Sequence, residues 1–241
     1  MSDSETRAVQ AASFGAAAEA YERGRPEYPA DAIDWLLPED AEAVIDLGAG
    51  TGKLTRLLKK RAKDLVAIDP SQAMLAVLGD VVGGVETIVG TAEEIPIADG
   101  EADAVLCAQA WHWVEPERAS AEVARVLKPG GTFGLVWNFR DEREDWVAEL
   151  GRILGDGNRA EDIGTPEIHG PFGPLERFET TWTDELTRDE VVDLVFSRSY
   201  IITADDERRA EVSRQLDELL DGRGDTIRLP YTTVCFRTIR D

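Results

Sequence analysis

The run VIDLGAGTGKLT at positions 44–55 constrains the fold of this chain more than any other stretch. Val44, Ile45 and Leu47 form a short apolar strand carrying Asp46, glycines follow at 48, 50 and 52, and a helix opens at Lys53. Glycine lets the backbone turn tightly and approach a ligand with no Cβ in the way. A helix start just behind it presents N–H groups with no intrahelical partner. Strand, glycine turn and helix in that order predict a nucleotide-type site in a doubly wound α/β sheet, where ligands bind beyond the carboxyl ends of the strands.

Spacing decides which nucleotide. The dinucleotide fingerprint G-x-G-x-x-G needs a third glycine where this chain has Lys53, and the P-loop G-x-x-x-x-G-K-[ST] needs glycine at Leu47 and a hydroxyl at Leu54. What remains, D-x-G-x-G-x-G, resembles motif I of the class I S-adenosylmethionine (SAM) methyltransferases. The segments downstream extend the likeness. LVAID (65–69) ends in an acid, VETIV (85–89) runs into GTAEEIP, ADAVLC (102–107) is followed by AQAWHWV, and RVLKPGGTFGLVWN (125–138) resembles the turn before the family's fifth strand. At the N-terminus, Phe14, Ala18, Tyr21, Arg25, Pro26, Tyr28 and Pro29, together with AQAWHW and Trp137-Asn138-x-Arg140-Asp141, resemble the small-molecule methyltransferases grouped with trans-aconitate methyltransferase.

That resemblance implies a site. Gly48, Ala49, Gly50 and Gly52 would pass under the amino-acid end of SAM, with Asp46 reaching the methionine moiety or capping the turn. Asp69 would accept from the ribose hydroxyls, since one carboxylate can take both, and Pro70 would lie along the adenine edge. Ala92 would offer its backbone N–H to an adenine nitrogen beside Glu93. Thr91 stands where the family often has aspartate, so it would accept from the adenine amino group more weakly. Gln109 would line the methionine end through its carbonyl. Trp111, His112 and Trp113 are either a wall of the acceptor pocket or packing beneath a cap, with His112 a candidate base. The family's N-terminal segment acts as a lid, so Tyr21 and Arg25 would close on cofactor or acceptor.

Composition sets the outer limits. A net charge of −22 repels phosphate backbones and argues against nucleic acid as a partner. Five lysines against twenty-one arginines hint at GC-rich coding or a salty cytoplasm. MSDSETRAVQ has no apolar core of a signal peptide, and no stretch approaches the length of a membrane helix, so a cytoplasmic location is expected. Cys107 and Cys235 sit in apolar strand patterns and read as inert core thiols. No metal-ligand spacing is present, and the oligomeric state is not readable.

The organisation expected is one domain: a helical lid over 1–40, a SAM-binding core over 41–138, and cap helices with terminal strands over 139–241. Two helices (8–22 and 30–37) precede the core, and Pro129-Gly130-Gly131 should stop the helix carrying Ala119, Val123, Val126 and Leu127. Beyond Asn138, Val147, Leu150, Ile153 and Leu154 recur at helical spacing, 177–186 reads as a strand, and Thr187 with Glu190 forms a capping box. The resemblance implies a Rossmann-like, seven-stranded, mostly parallel sheet in the order 3-2-1-4-5-7-6 with the last strand antiparallel. It also implies a methyltransferase acting on a small-molecule acceptor, with SAM as donor and S-adenosylhomocysteine as product. The acceptor is a carboxylate, or a phenol or amine with His112 assisting; a SAM-binding protein without turnover is the remaining alternative.

Overall fold

The computed structural model describes residues 22, 24–155, 164–198, 201 and 204–241. The helix expected over 8–22, and with it Tyr21, falls almost wholly outside the described residues. The elements run α1 (Ala30–Leu36), β1 (Ala43–Leu47), α2 (Lys53–Leu58), β2 (Asp64–Asp69), α3 (Gln72–Val81), β3 (Glu86–Val89) and β4 (Ala102–Ala108). A 3₁₀ turn (Trp111–Trp113), α4 (Pro116–Val126), β5 (Leu127–Arg140), α5 (Asp145–Leu154), β6 (Glu176–Leu186), α6 (Arg188–Phe196), α7 (Asp206–Leu220) and β7 (Ile227–Ile239) follow.

The seven strands form one sheet in the order β3-β2-β1-β4-β5-β7-β6. β1 pairs in parallel with β2 and β4, β2 with β3, and β4 with β5. At one end of the β5–β7 pair Gly130 N–H donates to Arg240 O and Arg240 N–H to Gly131 O; at the other, Asp141 N–H donates to Pro230 O. β7 therefore runs antiparallel to β5, as the resemblance implied.

Two compact units can be traced, with their boundaries inside β5, β6 and β7. The sheet unit comprises Glu27–Asn138, Ile163–Thr180 and Thr233–Asp241; the helical unit comprises Met1–Pro26, Phe139–Asp162 and Thr181–Thr232. In the sheet unit β1 is buried from Val44 to Leu47. A strand covered on both faces reads as a continuous apolar run rather than an alternation. Ile33 and Leu36 of α1 join Leu54 and Leu58 of α2 over Val44, Leu106 and Val136. Gly134 makes that approach possible, since a Cβ there would come within 2.9 Å of Leu36 Cδ2. Ala49, Ala67, Leu75 and Leu78 form a second cluster under α3.

Residues 164–176, part of the 139–176 segment expected in the cap, group with the sheet unit. Two contacts hold the segment there: Trp111 Nε1 donates to Glu167 O (3.0 Å) and His169 N to Ser120 Oγ (3.1 Å). The helix α4 stops at Val126, three residues before Pro129, because Leu127 already turns to an extended backbone and is fully buried as the first residue of β5.

In the helical unit, α5, α6 and α7 close on one core of Val147, Leu150, Val191, Leu194, Val212 and Leu216 with Leu229 and Tyr231 of β7. The capping box at α6 is formed as the sequence predicts, with Thr187 accepting from Glu190 N and the Glu190 carboxylate accepting from Thr187 N. α5 ends at Gly155 in the left-handed region, a glycine stop. β6 is half-covered on one face, and its alternating burial places Trp182, Asp184 and Leu186 on that face.

Candidate functional site

The C-terminal ends of β1, β2 and β4 gather the sequence-predicted residues of the sheet unit. Gly48, Gly50 and Gly52 all hold positive φ (73°, 55° and 94°), so the turn after β1 needs glycine on backbone grounds alone. Their surroundings separate them. A Cβ on Gly52 would strike Leu78 and Val82 of the α3 region at 2.8–2.9 Å, and one on Gly48 would strike Ala110 at 2.8 Å. A Cβ on Gly50 meets nothing within 4 Å. Gly52 and Gly48 are thus glycines for packing, whereas Gly50 presents bare backbone to open space.

Asp69 ties this loop to β2. Its Oδ2 accepts from Gly50 N (2.9 Å) and its Oδ1 from Ser71 N (2.8 Å), and the side chain is 8% exposed. Burial raises its pKa, while the hydrogen bonds from Ser71 and Gly50 pull the other way. Each oxygen keeps a second lone pair, so the carboxylate can hold the loop and still accept from a diol.

Asp46 is the more enclosed acid. It is fully buried within β1, its Oδ2 accepts from Thr55 Oγ1 (2.5 Å), and its Oδ1 has no hydrogen-bond partner among the described residues. Burial, opposed by the Thr55 hydrogen bond and reinforced by the charge of Asp69, pushes its pKa up to about 7. Its contacts are with Thr55 in the first turn of α2, the side-chain hydroxyl and the backbone N–H, so it also serves the start of that helix. Thr55 was not singled out from the sequence, although a hydroxyl nine residues beyond the motif acid was the available signal.

At the end of β4, Gln109 is the sole non-glycine residue with positive φ among those described (57°). Its N–H donates to Val136 O and its Nε2 to Asn138 O (3.2 Å). A non-glycine residue held there costs on the order of 1–3 kcal/mol, and such strain concentrates at ligand-facing turns. Asn138 is the anchor: its Nδ2 donates to Glu27 O (2.8 Å) and its Oδ1 accepts from Thr233 Oγ1 (2.6 Å). The motif pair Trp137-Asn138 therefore stands as scaffold behind Gln109.

The three rings after β4 part company. Trp111 is 4% exposed, meets Phe133 edge-on at 4.9 Å and is bound to Glu167 O, which makes it a packing residue and not a pocket wall. Trp113 is 82% exposed, with the His112 ring 4.8 Å away. His112 is an exposed residue whose imidazole pKa lies below the ordinary value because of partial desolvation.

Pro70, just after β2, and Thr91, in the loop after β3, are exposed, and Ala92 is buried. Glu93 is already engaged: its Oε1 accepts from Glu115 N (2.9 Å) at the start of α4. Burial would raise its pKa, but hydrogen bonds from Glu115, its own backbone and Thr91 outweigh that and lower it. Arg25 belongs to the helical unit, where its charge, with those of Arg140 and Arg198, acts on the Tyr231 hydroxyl. The arrangement of Arg140, Arg198 and Tyr231 was not read from the sequence.

The site has features that fit SAM: the open backbone at Gly50, the lone-pair capacity of Asp69, and the unpartnered buried oxygen of Asp46, an acceptor suited to a cation such as an α-ammonium group. Comparisons with known proteins carry the assignment further. A methyltransferase domain family matches residues 45–135. An uncharacterized methyltransferase of Mycobacterium tuberculosis (Rv3342) is 52% identical over 232 residues, covering 93% of this chain and 94% of that one. A malonyl-[acyl-carrier protein] O-methyltransferase of Methylococcus capsulatus is 37% identical over 139 residues, 51% of this chain and 50% of that one. Among solved structures, the YcgJ protein of Bacillus subtilis shares the fold at a TM-score of 0.52 and 20% identity, over 86% of this chain and 95% of that one. With a relative at that identity matched over nearly its whole length, and with the motif I geometry in place, the chain belongs to the class I SAM-dependent methyltransferases.

Proposed function

We propose that this methyltransferase converts the carboxylate of a small acidic molecule into its methyl ester. SAM supplies an electrophilic methyl group on a sulfonium whose departure is neutral. The residues of this chain then have to bind, align and dehydrate. Asp69 takes the ribose diol, Gly48, Ala49 and Gly50 offer backbone beneath the amino-acid end with Gly52 fixing the turn, and Asp46 accepts from the ammonium group. Gln109 adds its carbonyl at the same end. Pro70, Thr91, Ala92 and Glu93 border the adenine, with the Glu93 carboxylate acting through the loop it braces rather than on the base. Tyr21, which lies outside the described residues, and Arg25 close on the ligands, and Trp113 and His112 border the acceptor. Well-oriented reactants recover roughly 7–11 kcal/mol of barrier, so alignment alone can carry much of this reaction.

The observation that carries the carboxylate reading is the state of His112. It is exposed, and partial desolvation alone shifts its ring; no hydrogen bond or charge among the described residues orients it as a partner ordinarily orients a histidine base. A carboxylate, with a pKa near ~4, is ionised at neutral pH and needs no base. The oxygen of a malonyl thioester free to be methylated is likewise that of its carboxylate, so the Methylococcus relative supports the same chemistry over the half of the chain it matches. The second reading, methylation of a phenol or amine, is supported by the lowered His112 pKa, which keeps the imidazole neutral and able to accept a proton at pH 7.

Incubation with methyl-labelled SAM and a metabolite extract tests the choice. The carboxylate reading expects label in small molecules that is released as methanol by mild alkali. Alkali-stable label would establish the second reading, and SAM binding with no transfer would reduce the chain to a binding protein.

A further inference from the structure

Asp46 has no counter-charge among the described residues. It stands on β1 in register with Ala67 of β2 and Leu106 of β4, on the face it shares with Val44. There Val44, Leu54, Leu58 and Leu106 belong to one apolar cluster. The charge that bears on Asp46 is the like one of Asp69, and the Cys107 thiol of β4, which feels both acids, is kept neutral by burial. A carboxylate buried without a counter-ion is costly, and such groups concentrate where a ligand or a reaction uses them. Thr55 supplies its side-chain partner: Thr55 Oγ1 donates to Asp46 Oδ2 (2.5 Å), and both residues are fully buried. A threonine hydroxyl on a helix commonly bonds the helix's own backbone. This one reaches across to β1 instead, and Asp46 Oδ1 is left without a hydrogen-bond partner among the described residues.

We propose that Thr55 is a positioning residue for the methyl donor: it fixes the Asp46 carboxylate so that Oδ1 accepts from the donor's α-ammonium group, and it thereby selects SAM over ligands lacking that group. The inference rests on the Asp46 role given above and adds the side chain that enforces it. A carboxylate alone in apolar surroundings turns freely about its last bond and takes up a proton. A hydroxyl donating to one of its oxygens opposes both, since it orients the group and favours the charged form. An ionised, oriented oxygen with open lone pairs then holds an ammonium group by a charge-assisted bond, which a neutral or missing group cannot make. Asp69 is built differently. Its two oxygens are held by the backbone N–H groups of Gly50 and Ser71, which no side-chain replacement removes. Asp46 takes a side-chain donor from Thr55, so one substitution separates its orientation from its charge.

Calorimetry on the full chain tests it with two probes: S-adenosylhomocysteine, and its desamino analogue with hydrogen in place of the α-amino group. The parent should bind S-adenosylhomocysteine about 10-fold or more tighter than the analogue. Thr55→Val should weaken S-adenosylhomocysteine about 10-fold and leave the analogue within about twofold of the parent, while Thr55→Ser restores the parent values. Thr55→Ala carries the same expectation as Thr55→Val and replaces it if the valine variant does not fold. The pH dependence is a readout that lost packing would not move. Parent affinity for S-adenosylhomocysteine should fall as pH drops through about 7, where Asp46 takes up a proton. Removing a hydrogen bond that favours the charged form raises the pKa, so the limb should move to higher pH in Thr55→Val. If that variant discriminates between the probes as the parent does, with the limb unmoved, Thr55 is a packing residue and the Asp46 role stands without it. Equal loss of both probes likewise overturns the proposal, as a structural effect. Equal binding of both probes by the parent overturns the Asp46 role, and that of Thr55 with it.

Discussion

Two regions of the chain gather polar groups of opposite charge. At the carboxyl ends of β1 and β2, two buried acids stand behind a loop of bare backbone, and the more enclosed, Asp46, keeps one oxygen unbonded among the described residues. Around Tyr231 the charges of Arg140, Arg198 and Arg25 outnumber that of Asp184. The first region offers acceptor atoms that the proposed SAM reading uses for an ammonium and a diol; the second is rich in donors. The difference lies also in construction. The first is made by backbone placed by glycine, where a Cβ strikes a neighbour at Gly48 and Gly52 and enters open space at Gly50; the second is made by long side chains from β5, β7, the residues after α6 and the segment before α1. The kind of atom that builds each region decides how it fails when altered.

The sharpest break of this contrast is within the glycine loop itself. Gly50→Val should abolish S-adenosylhomocysteine binding in calorimetry, since its side chain projects into the open space that the cofactor needs and a branched residue is strained at φ 55°. The folded state should survive with only a lowered melting temperature. Gly52→Ala should behave the other way, losing stability outright because its Cβ meets Leu78 and Val82. Normal cofactor binding by Gly50→Val would make the whole loop a packing device and remove the distinction.

This difference in construction also explains what could be read in advance. The glycine loop was legible because its three glycines, its strand acid and its helix start are contiguous, and Asp69 was legible because β2 ends in an acid after an apolar run. The sheet order followed from the likeness. The Thr55 contact to Asp46 was not legible, since it depends on the phase of α2 against β1. The surroundings of Tyr231 were beyond reach: Arg140 stands opposite it through an antiparallel register, and Gly24 packs on Asp193 and Ser197 at the end of α6. Trp111 and Trp113 were ambiguous as neighbours in sequence because one turn of 3₁₀ helix sends one ring to the core and the other to solvent.

Asp46 sharpens the acid side of the comparison through stability. Its pKa is raised from the unfolded value of 3.8 to about 7. The folded state therefore binds the extra proton between those values, and this contribution is fully present below about pH 4 and lost as pH rises through 7. At 1.36 kcal/mol per pKa unit the loss is ~4 kcal/mol at most. Asp46→Asn removes the titration, so denaturant unfolding of the variant should show a smaller fall in stability from pH 4 to 8 than the parent does. Parallel pH profiles for the two would mean the acid is solvated and ionised throughout.

Asp69→Ala comes next. Loss of charged hydrogen bonds to a diol should weaken S-adenosylhomocysteine by about 1.5–3 kcal/mol. Because the carboxylate also holds Gly50 N and Ser71 N, hydrogen exchange at Gly50 should quicken in the variant. An unchanged dissociation constant would mean that Asp69 serves the loop and not the cofactor.

The smallest effect is expected at His112, and its smallness is what matters. If the acceptor is a carboxylate, the proton is gone before the acceptor binds. His112→Ala then costs no more than lost contact, about threefold or less in kcat against the 10²–10⁴ of a missing general base. The lowered imidazole pKa places any histidine limb below pH 6.5. The parent profile of kcat/KM should therefore run without a fall from pH 7 down to the region where carboxylates protonate. A variant slowed a hundredfold in the chemical step, together with a limb below 6.5 that vanishes in the variant, would make His112 a base. It would move the acceptor to a phenol or amine.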